Sequence, residues 1–272
     1  MGCGRFSDCE LTPMKLNILP PRHGVLWVKL GVKTFLRQPL ALSGLFFIFM
    51  ALMSILSLVP VLGNALALAL LPGATLGLMA ATQEAVKGKF PMPTVLLSGF
   101  RAGRQELRSM LVLGALYALG FLMVLACSAL VDGGTFAKLY LFGGSAGTEV
   151  LTDKNFETAA VLALVLYLPL SLLFWHAPAL VHWHGMSPMK SLFFSLVACW
   201  RNMGAFLFYG LVWMGFFVLV GTAIALVASL SGSEEMVAAV LFPCALVMAS
   251  MFFTSIYFTF ADSFDATTDV LA

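Results

Sequence analysis

The chain has 272 residues, 61% apolar and 10% charged, with a mean hydropathy of +0.98. A soluble domain keeps about 25% charged residues to cover its surface, so 15 basic and 13 acidic side chains leave lipid to cover this one. That balance, with a net charge of only +2, excludes a soluble enzyme, a disordered chain and a nucleic-acid partner.

Residues 1–13 are polar, carry Cys3 and Cys9, and contain no apolar signal core before Met14. They read as a disordered extension ahead of a start at Met14. The remainder reads as three units, 14–89, 90–185 and 186–272. Each unit opens with a proline-started segment ending at an arginine and continues into two apolar spans.

In the first unit the segment Pro21–Arg37 places Arg22, Lys29, Lys33 and Arg37 on one stripe and Trp27, Val28 and Phe35 elsewhere. This pattern predicts an amphipathic helix lying on the membrane. Spans follow at 40–61 and 64–82, each long enough for a bilayer core of about 30 Å, with Pro60 and Gly63-Asn64 between them. The second span has small residues every fourth position, Ala65, Ala69, Gly73, Gly77 and Ala81. One small-residue face lets helix backbones approach closely, which suits a central helix or a dimer seam.

In the second unit Arg101, Arg104 and Arg108 repeat the basic stripe, and spans are expected at 110–131 and 159–181. The long outside loop, 132–158, holds an apolar stretch from Phe136 to Phe142 that suits the outer interface. Its Gly143-Gly144-Ser145-Ala146-Gly147 matches a nucleophile elbow, but that chemistry needs a strand–turn–helix setting and a histidine base, and neither is at hand. At the far end of the fourth span lie His176, His182 and His184. A metal or proton-relay role needs three or four converging ligands; imidazoles beside tryptophans at headgroup level are also ordinary interfacial residues.

The third unit starts with a weaker segment, Pro188–Arg201, whose polar stripe is Ser187, Ser191 and Ser195, and continues into spans at 204–230 and 237–261. Asp262, Asp265 and Asp269 follow as an acidic tail, read as a solvated end in preference to one docked on the basic stripes. Pro72, Pro169 and Pro243 fall inside alternate spans, where broken helices could frame a transport site. None of the six spans carries an Asp, Glu, Lys or Arg deep inside it, which argues against ion-coupled transport. The five cysteines avoid the outside loops, so no disulfide framework is expected.

Charge bias sets the orientation. Thirteen of the fifteen basic residues fall on one side of this topology and only Lys138 and Lys154 on the other, so both termini are expected in the cytoplasm.

The stretch Met14-Lys-Leu-Asn-Ile-Leu-Pro-Pro-Arg-His-Gly, then Phe35-Leu-Arg-Gln-Pro-Leu-Ala-Leu and Phe90-Pro-Met-Pro, resembles an uncharacterised family of proteobacterial inner-membrane proteins. A weaker likeness is to the membrane domain of some glycerophosphodiesterases, whose catalytic domain has no counterpart here. The first resemblance implies a helical bundle in the cytoplasmic membrane and brings no catalytic residues.

The expected protein is therefore an all-α bundle of six transmembrane helices, with interfacial helices before the odd-numbered spans. Its expected role is non-enzymatic: a structural, assembly or accessory subunit without cofactor. Expected partners are anionic lipid headgroups at the cytoplasmic face, together with a membrane-protein partner or a second copy. Lipid or partner contact falls to Arg22, Lys29, Lys33, Arg37, Arg101, Arg104 and Arg108. The alternative is a transporter or channel for an uncharged or amphipathic, lipid-like molecule.

Overall fold

A computed structural model describes residues 16–59, 62–143, 147–231 and 234–264; the N-terminal extension, Ser145, Asp265 and Asp269 lie outside them. The described residues form helices α1 (His23–Arg37), α2 (Pro39–Ser57), α3 (Leu62–Val86), α4 (Ser98–Arg101), α5 (Arg104–Asp132), α6 (Thr135–Phe142) and α7 (Thr148–Leu151). The chain continues through α8 (Lys154–Phe174), α9 (Ala177–His184), α10 (Pro188–Arg201), α11 (Met203–Ser231) and α12 (Glu234–Phe264), and a 3-10 segment, Pro93–Leu97, precedes α4. Six stretches are long and apolar enough to cross a membrane: α2, α3, α5, α8 with α9, α11 and α12. The protein is an all-α, multi-pass bundle.

The centre of the bundle is α3, which packs on α2, α5, α12 and the 3-10 segment. Its small residues make this possible. A Cβ on Gly114 of α5 would collide with the Ala69 carbonyl oxygen, one on Gly77 with the Leu96 backbone, and one on Gly73 with the Phe100 ring. Ala81 is fully buried. From Ala69 to Ala81 the stripe is thus filled from within the chain, its middle by the 3-10 segment and α4.

The segments ahead of the odd-numbered spans differ from one another. In α1, Trp27 and Phe35 are buried, and Gly24 and Gly31 lie where a Cβ would strike the Ala205 carbonyl of α11 and Ser255 of α12. Its apolar face is therefore taken by α11 and α12 instead of by the membrane surface, because glycines at both crossings admit the neighbouring backbones. The second segment is not one amphipathic helix. Gly103, at φ 127°, is a conformation that L side chains rarely adopt, and it divides Arg101 on α4 from Arg104 and Arg108, which belong to the spanning helix α5. The third segment, α10, turns its serines inward: Ser191 and Ser195 are fully buried, while Met189, Phe193 and Trp200 are exposed. Lipid accepts that apolar face, so Ser191 and Ser195 of the polar stripe are the packed side, while Ser187 ahead of the helix is exposed.

The prolines inside the spans break nothing: α3, α8 and α12 continue through Pro72, Pro169 and Pro243. The fourth crossing instead breaks at Trp175–His176, one turn ahead of Pro178. Pro178 has no N–H for the Phe174 carbonyl, and its ring crowds that carbonyl. Ser195 of α10 bridges the gap by accepting from the His176 N–H at 2.9 Å and donating to the Leu172 carbonyl at 2.8 Å. These are the two groups a continuous helix would have paired. At the opposite end, Asp132 starts α6 by accepting from the N–H groups of Gly134 and Phe136, at 2.8 and 2.6 Å. That folds Phe136 and Leu141 back onto α5 and α8.

Candidate functional site

The end of the bundle that carries α1, α4, α9 and α10 gathers the basic side chains. Arg22, Lys29, Lys33, Arg37, Lys87, Lys89, Arg101, Arg104, Arg108, Lys190 and Arg201 are all exposed. Among the described residues the ion pairs are His23–Asp262 and His182–Glu106, so none of these arginines or lysines is matched by a carboxylate. The same end holds Glu84 and Glu106, both half-buried, and Asp262, which is buried.

Asp262 corrects the reading of a solvated acidic end. Its Oδ2 accepts from Trp27 Nε1 at 2.7 Å and lies 2.7 Å from His23 Nδ1. The carbonyls of Asp262 and Ser263, otherwise orphaned near the end of α12, accept from the Asn17 side chain at 3.0 Å and the Asn17 N–H at 2.9 Å. Asn202, between α10 and α11, accepts from the Leu19 N–H at 2.9 Å and donates to the Asn17 carbonyl at 3.0 Å. These contacts stitch residues 16–27 to the last turns of the bundle. Sequence reasoning missed His23, Trp27, Asn17 and Asn202 because their partners lie up to 245 residues away.

The three histidines of the fourth crossing do not converge. His176 is fully buried, with its ring between Phe206, Phe260 and Phe264 at centroid distances of 5.8, 5.9 and 5.4 Å. His184 meets the same Phe260 and Phe264 from further along α9. His182 faces the other way, its Nδ1 3.3 Å from Glu106 Oε2 on α5. That approach attracts when the imidazole is protonated, although it is not aligned as a hydrogen bond. Among the described residues no group of three His, Cys, Asp or Glu side chains could hold a metal ion.

Two concave features flank α9. On the basic end, a cleft of about 760 Å³ lies between the start of α5 and the α9–α10 corner. Its polar lining comes from Arg104, Gln105, Glu106, Ser109, His184 and Lys190, with Ser187 at the rim. Deeper in the bundle a cavity of about 270 Å³ is walled by Leu71, Phe121, Phe174, Trp175 and Phe252, and three tyrosines, Tyr117, Tyr140 and Tyr167, reach its edge. Tyr140 lies on α6, outside the spans, and burial with the neighbouring Tyr167 pushes its hydroxyl pKa up. The Cys199 thiol of α10 is likewise pushed up, to about 12, by burial; it lies 3.7 Å from the Leu172 carbonyl beside Ser195.

No protein-family profile matches the chain, and no solved structure does. A probable inner membrane protein of Burkholderia thailandensis, BTH_II0599, is 40% identical over 255 residues, which cover 92% of this chain and 94% of that protein. Identity of that extent, along nearly the whole of both chains, means that the chain belongs to the family of that probable inner membrane protein.

Proposed function

We propose that this protein is a non-enzymatic component of the inner membrane, a structural or accessory subunit whose basic end faces the cytoplasm and engages anionic lipid headgroups or a membrane-protein partner. The observation that supports this reading is the unmatched charge: eleven exposed Arg and Lys side chains at one end, none paired with a carboxylate among the described residues. Near an anionic leaflet each such side chain contributes about 1 kcal/mol of attraction, and cations at the cytoplasmic side agree with the positive-inside bias. The test is native mass spectrometry of the protein extracted in mild detergent. Anionic lipid or a stoichiometric partner is expected to be retained by the wild type and lost when Arg22, Lys29, Lys33 and Arg37 are changed together to Gln. Equal retention by both proteins would refute the reading. A reporter fused to the C-terminus, active only in the cytoplasm, checks the orientation separately.

A transport role for a lipid-like molecule is the second reading, and the break between α8 and α9 favours it. Interrupted helices often frame transporter sites, and this break stands between an aromatic cavity and a polar cleft. Movement of a fluorescent lipid between leaflets of reconstituted vesicles, above that of protein-free vesicles, would establish it in place of the first reading.

A further inference from the structure

We propose that the cleft between the start of α5 and the α9–α10 corner is a binding site for a phosphate ester. The inference deepens the reading of the basic end as an anion-binding surface and rests on it. The cleft is a formed concavity of about 760 Å³, within the range of small-molecule sites, about 300–1,000 Å³. Arg104 enters it from α5 and Lys190 from α10. An Arg and a Lys on opposite walls match a phosphate well, the guanidinium as a two-pronged donor and the ammonium as a point charge. Gln105, Ser109 and Ser187 add neutral donors for the remaining oxygens.

The electrostatics of the walls agree. Two helices, of 29 and 14 residues, begin at the cleft, and neither start is closed by a side-chain cap. Their free N–H groups and positive dipole ends add to the cationic side chains. One carboxylate lines the cleft, Glu106, and it is drawn toward His182 at 3.3 Å. A phosphate monoester or diester is the chemistry that fits; a phospholipid headgroup and a soluble phosphorylated molecule are its two sources.

The experiment is calorimetric titration of the detergent-solubilised full chain with monomeric short-chain phosphatidylglycerol, and separately with glycerol 3-phosphate. In the doubly substituted R104Q/K190Q protein affinity is expected to fall at least tenfold, with the Tm unchanged because both side chains are exposed. Glu106→Gln removes the opposing charge and is expected to tighten binding several-fold. Binding of the lipid alone assigns a headgroup, and equal binding of both probes assigns a soluble ester. Unchanged affinity in R104Q/K190Q, or no tightening in Glu106→Gln, overturns the cleft. Retention of lipid by the protein altered at Arg22, Lys29, Lys33 and Arg37 is scored separately, so the cleft can fail while the wider reading stands.

Discussion

α3 and α11 both cross the membrane, yet 67% of the apolar window in α3 is buried inside the protein against 6% of that in α11. The more exposed helix is the more apolar of the two by mean hydropathy. In water that order would be reversed. In a bilayer lipid tails are as apolar as leucine, so hydrophobicity does not draw helices together. Backbone approach and polar contacts do. α3 has its small residues against α5 and the 3-10 segment. α11 is held at its first turns by Ala205, Tyr209 and Trp213, the last two bonded to Ser255 at 2.7 and 3.2 Å. Past Trp213, a Cβ added at Gly215 or Gly221 would meet no other packed atom within 4 Å among the described residues.

If polar stitching holds the basic end, its loss should exceed any effect on the exposed half of α11. Asp262→Ala leaves the Trp27 indole N–H and the His23 ring without their acceptor. Removing one partner of a buried charged contact costs about 3–5 kcal/mol, and the 23% exposure of His23 places the expected loss near the lower figure, about 3 kcal/mol. Denaturant unfolding in micelles measures it. A loss below about 1 kcal/mol would mean that α1 is held by its apolar face alone.

The close seam of α3 is tested next. Gly114→Leu drives a side chain into the Ala69 carbonyl, and overpacking a tight contact costs about 1–3 kcal/mol. The same change at Gly221 meets open space and is expected to leave the unfolding midpoint unmoved. Equal effects at the two positions would erase the distinction between the helices.

At the helix break, Ser195→Ala strands the His176 N–H and leaves the Leu172 carbonyl only the weak Cys199 thiol donor, an expected loss of about 1–2 kcal/mol. The same site gives a chemical readout. Burial raises the Cys199 pKa to about 12, so the thiol stays protonated through pH 7–9, and the thiolate is the nucleophile. Maleimide should label Cys199 in the wild type only after unfolding, and no faster in folded Ser195→Ala, which loses a hydrogen bond that lowers the thiol pKa. Ready labelling of the folded wild type at pH 7 would contradict the packing of α10.

Much of this was legible in the sequence, for identifiable reasons. Spans are written in charge-free runs, and the basic end is written in the side on which Arg22, Lys29, Lys33, Arg37, Arg101, Arg104 and Arg108 fall. What escaped is pairing at a distance and the sign of a face. Asp262 looked solvated because its partners, His23 and Trp27, are 239 and 235 residues away. The spacing of Ser187, Ser191 and Ser195 shows a stripe but not which side is packed, since lipid takes the apolar side that water would refuse. Gly103, between Arg101 and Arg104, was a readable break that charge periodicity obscured. The cleft could not be read, because Arg104 and Lys190 come to line one concavity only through the packing of α5, α9 and α10.

The smallest effect is the most direct test of what lipid does to the rules. Leu76 of α3 is fully buried and Leu219 of α11 is 67% exposed. In a soluble core a Leu→Ala change costs about 2–5 kcal/mol, partly from lost transfer out of water and partly from the cavity left behind. Between lipid and protein interior the transfer part nearly cancels, because both are apolar. Leu76→Ala should therefore lose only the cavity part, about 1–3 kcal/mol. Leu219→Ala leaves no cavity, since lipid flows into the space, and its expected effect on unfolding in micelles is within about 0.5 kcal/mol. A cost at Leu219 equal to that at Leu76 would show that the outer half of α11 is packed against protein, as it would be against a partner helix or a second copy of the chain.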